Sequence, residues 1–376
     1  MKTRCHLTTL MAASLLLTAC SSDDTPAAVT ENVELNIVAN AADLEQGSST
    51  RAGSPHQDTQ FDQNQIIDVY IREGGTLTGG NNGYGTSGKA TTTYTQPVRA
   101  KASNATGTFA FIQAANTNAY TQYWPSSGNG VIIYAWHPTT GVAARLNTFH
   151  EVAQNQSDKS SADNYKNSDL MFGLPTANVT SEPNFTFNAE TEIKRQAYAS
   201  SGRVVPLTFF HLLSKVVIKL AAGSGLWGAT TPGTVDANKL KNAKITIGNV
   251  YTKVKITNAT NGTVATQTGT SDPQKLVTLL AQNDKNTLTS NQLVAYCILP
   301  AQNLKNKTIS VQLADASGSV EYKYTFGSDF NIEARKVHEI TMTVTPTELK
   351  VSSTKIVDWN DGGDTSGNLT ITTAGS

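Results

Sequence analysis

The chain has 376 residues, and its 29 basic and 29 acidic side chains cancel. With no net field it has nothing to draw nucleic acid or an anionic surface toward it. Sparse charge with abundant Thr, Asn, Ser and Gly suits β-strands joined by polar turns in an exported protein, and the length allows two cores.

Lys2 and Arg4 precede an apolar stretch, Leu10 to Leu17, that is too short to cross a bilayer as a helix. Leu17-Thr18-Ala19-Cys20 follows, with small residues leading into a cysteine. This spacing resembles the bacterial lipobox. The resemblance implies that residues 1–19 are a lipoprotein signal peptide, that Cys20 is acylated, and that the mature chain hangs from an outer membrane by lipid. Several acyl chains on one residue anchor firmly, because each buried methylene adds about 0.8 kcal/mol. The alternative is an ordinary signal peptide with a chance cysteine. The acidic run Ser21-Ser22-Asp23-Asp24 resembles the signal that sends lipoproteins of Bacteroidetes to the outer face of that membrane; otherwise it is a solvated tether.

Residues 21–32 read as tether. Val33, Leu35 and Ile37 then alternate with polar residues and form an isolated strand with one apolar face. A long polar loop, residues 40–65, carries one arginine, Arg51, open to a protease. Ile67, Val69 and Ile71 restart the alternation. The Gly-rich segment 74–88 partly mimics a phosphate-binding loop, but Ala90 stands where a magnesium-ligating hydroxyl belongs and Thr91-Thr92-Thr93-Tyr94 favours strand over helix. Further strands are expected at 108–113 and 131–136, with Tyr123 and Trp124 between them covering the end of a core or stacking on sugars. Residues 152–168 read as loop. After the polar stretch 197–203, the likeliest joint between units, strands are expected at 205–209, 216–220, 243–248, 251–256, 293–299, 308–313, 320–326 and 337–344. Residues 276–281 fit either strand or short helix. The pattern predicts an all-β protein of two antiparallel sandwiches.

Catalytic constellations are missing from the sequence. The six histidines are scattered, and there is no Gly-x-Ser-x-Gly, His-Glu-x-x-His or Cys-x-x-Cys. His211 reads as structural. Cys297 is the one cysteine beyond Cys5 and Cys20, and reads as a small buried hydrophobe. Asp358 to Asp364 resembles half a calcium loop but lacks the closing glutamate, and reads as a tight turn. No enzyme activity, metal or cofactor is expected.

The order of these segments resembles the fimbrillin (Mfa-like, FimA-like) proteins of Bacteroidetes, the subunits of type V pili. It is carried by the lipobox, the first strand, Arg51, Tyr123-Trp124-Pro125, Ile133-Tyr134-Ala135-Trp136-His137-Pro138, Ser168-Asp169-Leu170-Met171, Pro206 to Val216, Ile298-Leu299-Pro300 and Val357-Asp358-Trp359. The resemblance implies two tandem transthyretin-like domains, placed at 52–202 and 203–376, with residues 20–51 a lipidated tether and removable strand. It implies an Arg-specific surface protease that cuts after Arg51, so that Val33, Leu35 and Ile37 leave. The groove left behind then accepts an extended segment from another pilus subunit by strand addition. Three buried aliphatic side chains offer roughly 5–8 kcal/mol before ordering costs. The candidate donor strand is the tail with Leu369 and Ile371. The implied function is a stalk, tip or accessory subunit serving adhesion to a host or bacterial surface receptor. The alternatives are an uncleaved pilus anchor and a surface glycan-binding lipoprotein.

Overall fold

The computed structural model describes residues 33–359 apart from 42–60, 74–82, 85–89, 92–97, 105–106, 114–117, 126–127, 141–146, 158–162, 179–190, 224–239, 241–242, 259–261, 282–291 and 316–317. These residues are mostly β-strand, interrupted by α1 (Asp163–Ser168) and short 3-10 segments. No helix among them is long and apolar enough to cross a membrane.

The first unit is built from β1 (Asn36–Ala41), β2 (Ile66–Glu73), β3 (Val98–Ala102), β4 (Thr108–Ile112), β5 (Val131–His137), β7 (Met171–Pro175) and β8 (Val204–His211). β6 (Phe149–Glu151) stands apart from it. In space the order is β2-β3-β4-β1-β8-β7-β5, and β5 pairs back onto β2. Pairing among these seven strands therefore runs round a closed ring, and a short hairpin, Gly83–Tyr84 with Ala90–Thr91, extends the same sheet from Arg72 of β2. Every pair is antiparallel except β1 with β8.

Side-chain alternation explains the two kinds of wall. In β3, and in β4 up to Phe111, only every second residue is well buried, so the other face meets solvent; Ile112 at the end of β4 is buried as well. In β5 all seven residues are buried. Val131, Ile133 and Ala135 face the ring's own core, while Tyr134 and Trp136 join Tyr70 and Phe172 in the core shared with the second unit. A run apolar on both faces is what a strand sandwiched between two cores requires.

The second unit holds β9 (Ser214–Ala222), β10 (Lys244–Val250), β11 (Lys253–Asn258), β12 (Thr263–Thr266), β13 (Lys275–Thr278), β14 (Gln292–Leu299), β15 (Thr308–Asp315), β16 (Gly318–Thr325), β17 (Lys336–Val344) and β18 (Leu349–Asp358). One sheet runs β14-β9-β17-β18 and the other β13-β10-β15-β16, with β12-β11-β6 as a small third sheet. Segment 276–281 is strand: β13 covers its start, and Leu280–Ala281 edges β14.

The step between units needs correcting. Residues 197–203 are no linker. Arg195–Ser201 form a 3-10 helix ending at Gly202, whose φ of 66° suits glycine, and Tyr198 stacks on Trp124 of the ring. β8 follows and pairs with β1 and β7, so residues 204–211 belong to the ring and the chain crosses at Leu212-Leu213. Polarity had suggested a joint, but these polar residues cap a core. Nor is the segment after 152 a free loop. Gln156 is buried, its Nε2 donates to the Ile298 carbonyl at 2.9 Å, and its Oε1 accepts the Ile298 N–H at 2.8 Å. β6 pairs with β11, and the Thr278 N–H donates to the Gln154 carbonyl at 2.7 Å. Chain from within the first unit's span thus completes the second.

Candidate functional site

β1 fills the gap between β4 and β8, which have no pairing with each other among the described residues. On one side it runs parallel to β8, from Asn36 opposite Val204 to Ala41 opposite Phe209. On the other it is antiparallel to β4, with Ile37 opposite Phe109. The Ala39 N–H donates to the Gly107 carbonyl at 2.8 Å. Upstream, the Leu35 N–H donates to Gln122 and the Trp124 N–H donates to Val33, both at 2.8 Å. Tyr123-Trp124 thus lies beside this segment as a short flank, with Trp124 buried and the Tyr123 side chain half-exposed. A parallel neighbour cannot be delivered by a tight hairpin, so β1 reaches β8 as a segment independent of it.

Leu35, Ile37 and Ala39 are buried in the ring core, while Glu34 and Asn36 face outward. Val33, expected as the first of three buried residues, is only half-buried and packs against the margin of this core. Ala39 takes the third place. Its signal was present, since the alternation continues from Ile37, but its small side chain carries little hydrophobic weight. At this end Phe61 closes the core, edge-on to Phe109 at 5.4 Å and to Phe209 at 4.9 Å. An ion pair between Asp62 and Lys166 of α1 secures the same corner. A cut after Arg51 would leave Phe61 with the main body of the chain. Gly173 permits the opposite wall: a Cβ there would lie 2.6 Å from ring carbons of Phe209.

The buried histidines are structural in this geometry. His211 Nδ1 lies 2.9 Å from an Asp169 carboxylate oxygen, and its ring stacks on Trp359. His338 Nε2 accepts the Glu333 N–H at 2.8 Å, and burial pushes its pKa down to about 4. Cys297 is buried in β14, and desolvation raises its thiol pKa well above the usual range. Among the described residues no group of three or more His, Cys, Asp or Glu side chains could hold a metal ion. Cys20, Arg51, Leu369 and Ile371 lie outside the described residues, as do the Gly-rich segment 74–88 save its strand residues 83–84 and the turn beyond Trp359.

The fimbrillin-like family model matches residues 50–359. The match begins one residue before Arg51 and ends at Trp359, so both the first strand and the tail lie outside it. A candidate cell adhesion protein from Bacteroides uniformis shares the fold at 15% identity and a TM-score of 0.52, over 87% of this chain and 98% of that one. Another from Bacteroides ovatus does so at 14% identity and a TM-score of 0.55, over 88% and 98%. The search of curated proteins finds no match.

Proposed function

The chain belongs to the fimbrillin-like family, and from that premise we propose that it is a structural subunit of a cell-surface pilus, assembled by protease-triggered strand exchange. The supporting observation is the position of β1: among the described residues it is the sole link between β4 and β8, beside the part of the ring whose outer face meets solvent. Its departure would bare the backbone groups of both neighbours together with the pockets of Leu35, Ile37 and Ala39. Unpaired strand edges over an apolar slot recruit another extended segment.

The chain reaches the surface as a lipoprotein acylated at Cys20, attached to the outer membrane. A surface protease with Arg specificity cuts after Arg51, and the first strand leaves with the lipid. The tail of another subunit then enters. Leu369-Thr370-Ile371-Thr372-Thr373 repeats the Leu-x-Ile order of Leu35-Asn36-Ile37-Val38-Ala39. In that register Leu369 takes the Leu35 pocket, Ile371 the Ile37 pocket, and Thr373 the buried Ala39 position. The threonine hydroxyl fits there least well, because a buried unpaired polar group costs about 1–3 kcal/mol. The role is architectural, with adhesion through a host or bacterial surface receptor.

The test is Arg51→Ala in the producing cell. Loss of the chain from sheared fibres, with folding and lipidation intact, supports the cycle. Normal incorporation overturns it, and an uncut wild-type chain found only at the fibre base indicates an anchor.

A further inference from the structure

Trp359 is buried against the end of β8. Its ring lies on that of His211 with centroids 4.0 Å apart and planes within 1° of parallel. His211 Nδ1 lies 2.9 and 3.0 Å from the two Asp169 carboxylate oxygens, and both side chains are buried. The His211 Nε2 has no hydrogen-bond partner among the described residues. The backbone completes the clasp. The Trp359 N–H donates to the Arg335 carbonyl at 3.0 Å, and the Arg335 N–H donates to the Leu213 carbonyl at 2.7 Å. The Arg335 guanidinium sits 5.7 Å from the Phe210 ring, and the Lys215 ammonium 5.9 Å from the Trp359 ring. Residues 210–215 therefore hold the root of the C-terminal segment.

The same strand, β8, forms one wall of the groove. Phe209 is the register partner of Ala41, and His211 lies two residues further along on β8. A packed strand has few independent ways to move, so whatever steadies β8 along the groove steadies the platform on which Trp359 lies. We propose that β8 couples groove to tail root: the first strand, while in place, keeps Trp359 clasped on His211, and its departure loosens the clasp and frees the tail for donation. The proposal rests on the strand-exchange reading and adds an order of events, acceptor before donor. Coupling of this kind is reciprocal. By whatever factor strand loss weakens the stack, loss of the stack weakens the hold on the first strand.

The experiment uses the full mature chain with a recognition site for an unrelated protease placed at residues 49–53. After cleavage the released strand is separated by gel filtration, and hydrogen exchange is followed at the Trp359 backbone amide. The expected result is exchange at least tenfold faster once the strand has gone. Trp359→Ala should in turn speed strand loss about tenfold, while Trp359→Phe, which keeps a ring on His211, should restore most of the wild-type rate. Trp359 exchange unchanged within twofold after strand loss overturns the coupling while leaving strand exchange standing. The wild-type measurement decides this even if Trp359→Ala does not fold. A cleaved chain that never releases its strand overturns the strand-exchange reading, and the coupling falls with it.

Discussion

Among the described residues each half of the molecule contains one parallel strand pair between segments distant in sequence: β1 with β8 in the ring, β9 with β17 in the second unit. The two pairs are held differently. β17 continues through a tight turn into β18, where the Thr345 N–H donates to the Glu348 carbonyl, and β18 pairs with β17 from Lys336 opposite Asp358 to Val344 opposite Leu349. β1 is joined onward only through residues 42–60, which contain Arg51. One parallel pair is thus secured by its own hairpin, and the other by a connection that a single cut would sever. Loop closure raises the effective concentration of β1 at its groove, and cleavage removes that advantage while leaving every contact in place.

Perturbations ranked by size separate the two arrangements. The largest effect is expected from Leu35→Asp with Ile37→Asp in the uncut chain. Two unpaired carboxylates in the ring core should destabilise it by more than about 4 kcal/mol. Hydrogen exchange should show protection lost from β4 and β8 before β9 and β17; simultaneous loss would mean that the halves unfold as one.

Acid should act on the other half. His338 is neutral in the fold because burial disfavours its charged form and Nε2 accepts the Glu333 N–H, and its pKa falls to about 4 from 6.5. Between these values the unfolded chain binds more protons than the folded one. The stabilisation is therefore complete above pH 6.5 and is lost as pH falls toward 4. The loss is about 3 kcal/mol, read from denaturant midpoints of the second unit. His338→Gln, whose side-chain oxygen can accept the same N–H, should flatten this dependence.

Gly173→Ala should cost about 1–3 kcal/mol, because the new methyl meets the Phe209 ring in the groove wall. It should also weaken capture of a peptide spanning residues 33–41 by the cleaved chain, seen by fluorescence anisotropy. Thr373→Ala should strengthen tail donation by about 1 kcal/mol, measured as the affinity of the tail peptide for that same chain. The smallest effect belongs to the exposed Lys350–Glu348 pair beside the β17–β18 turn. Lys350→Ala should shift stability by less than about 0.5 kcal/mol, so a larger change would mean that this hairpin is held more weakly than its pairing indicates.

Much of the fold was legible because alternation is a local property. Val205-Leu207-Phe209 announces a strand whichever sheet receives it, and the same holds for Ile67-Val69-Ile71. β18 was missed: Ser352, Ser353 and Thr354 break its apolar alternation, and its backbone pairing with β17 supplies the order instead. The site was half legible. Leu35 and Ile37 stood out by size, while Ala39 and Phe61 matter through what surrounds them.

By itself the sequence determined the fold class, the separate first strand and the placing of one arginine after it, because each is written in neighbouring residues. Only the tertiary structure decided that β8 belongs to the ring, that residues 149–156 complete the second unit, and that Trp359 lies on His211. These depend on which distant segments share a core, and period-two patterns are identical for every sheet a strand might join.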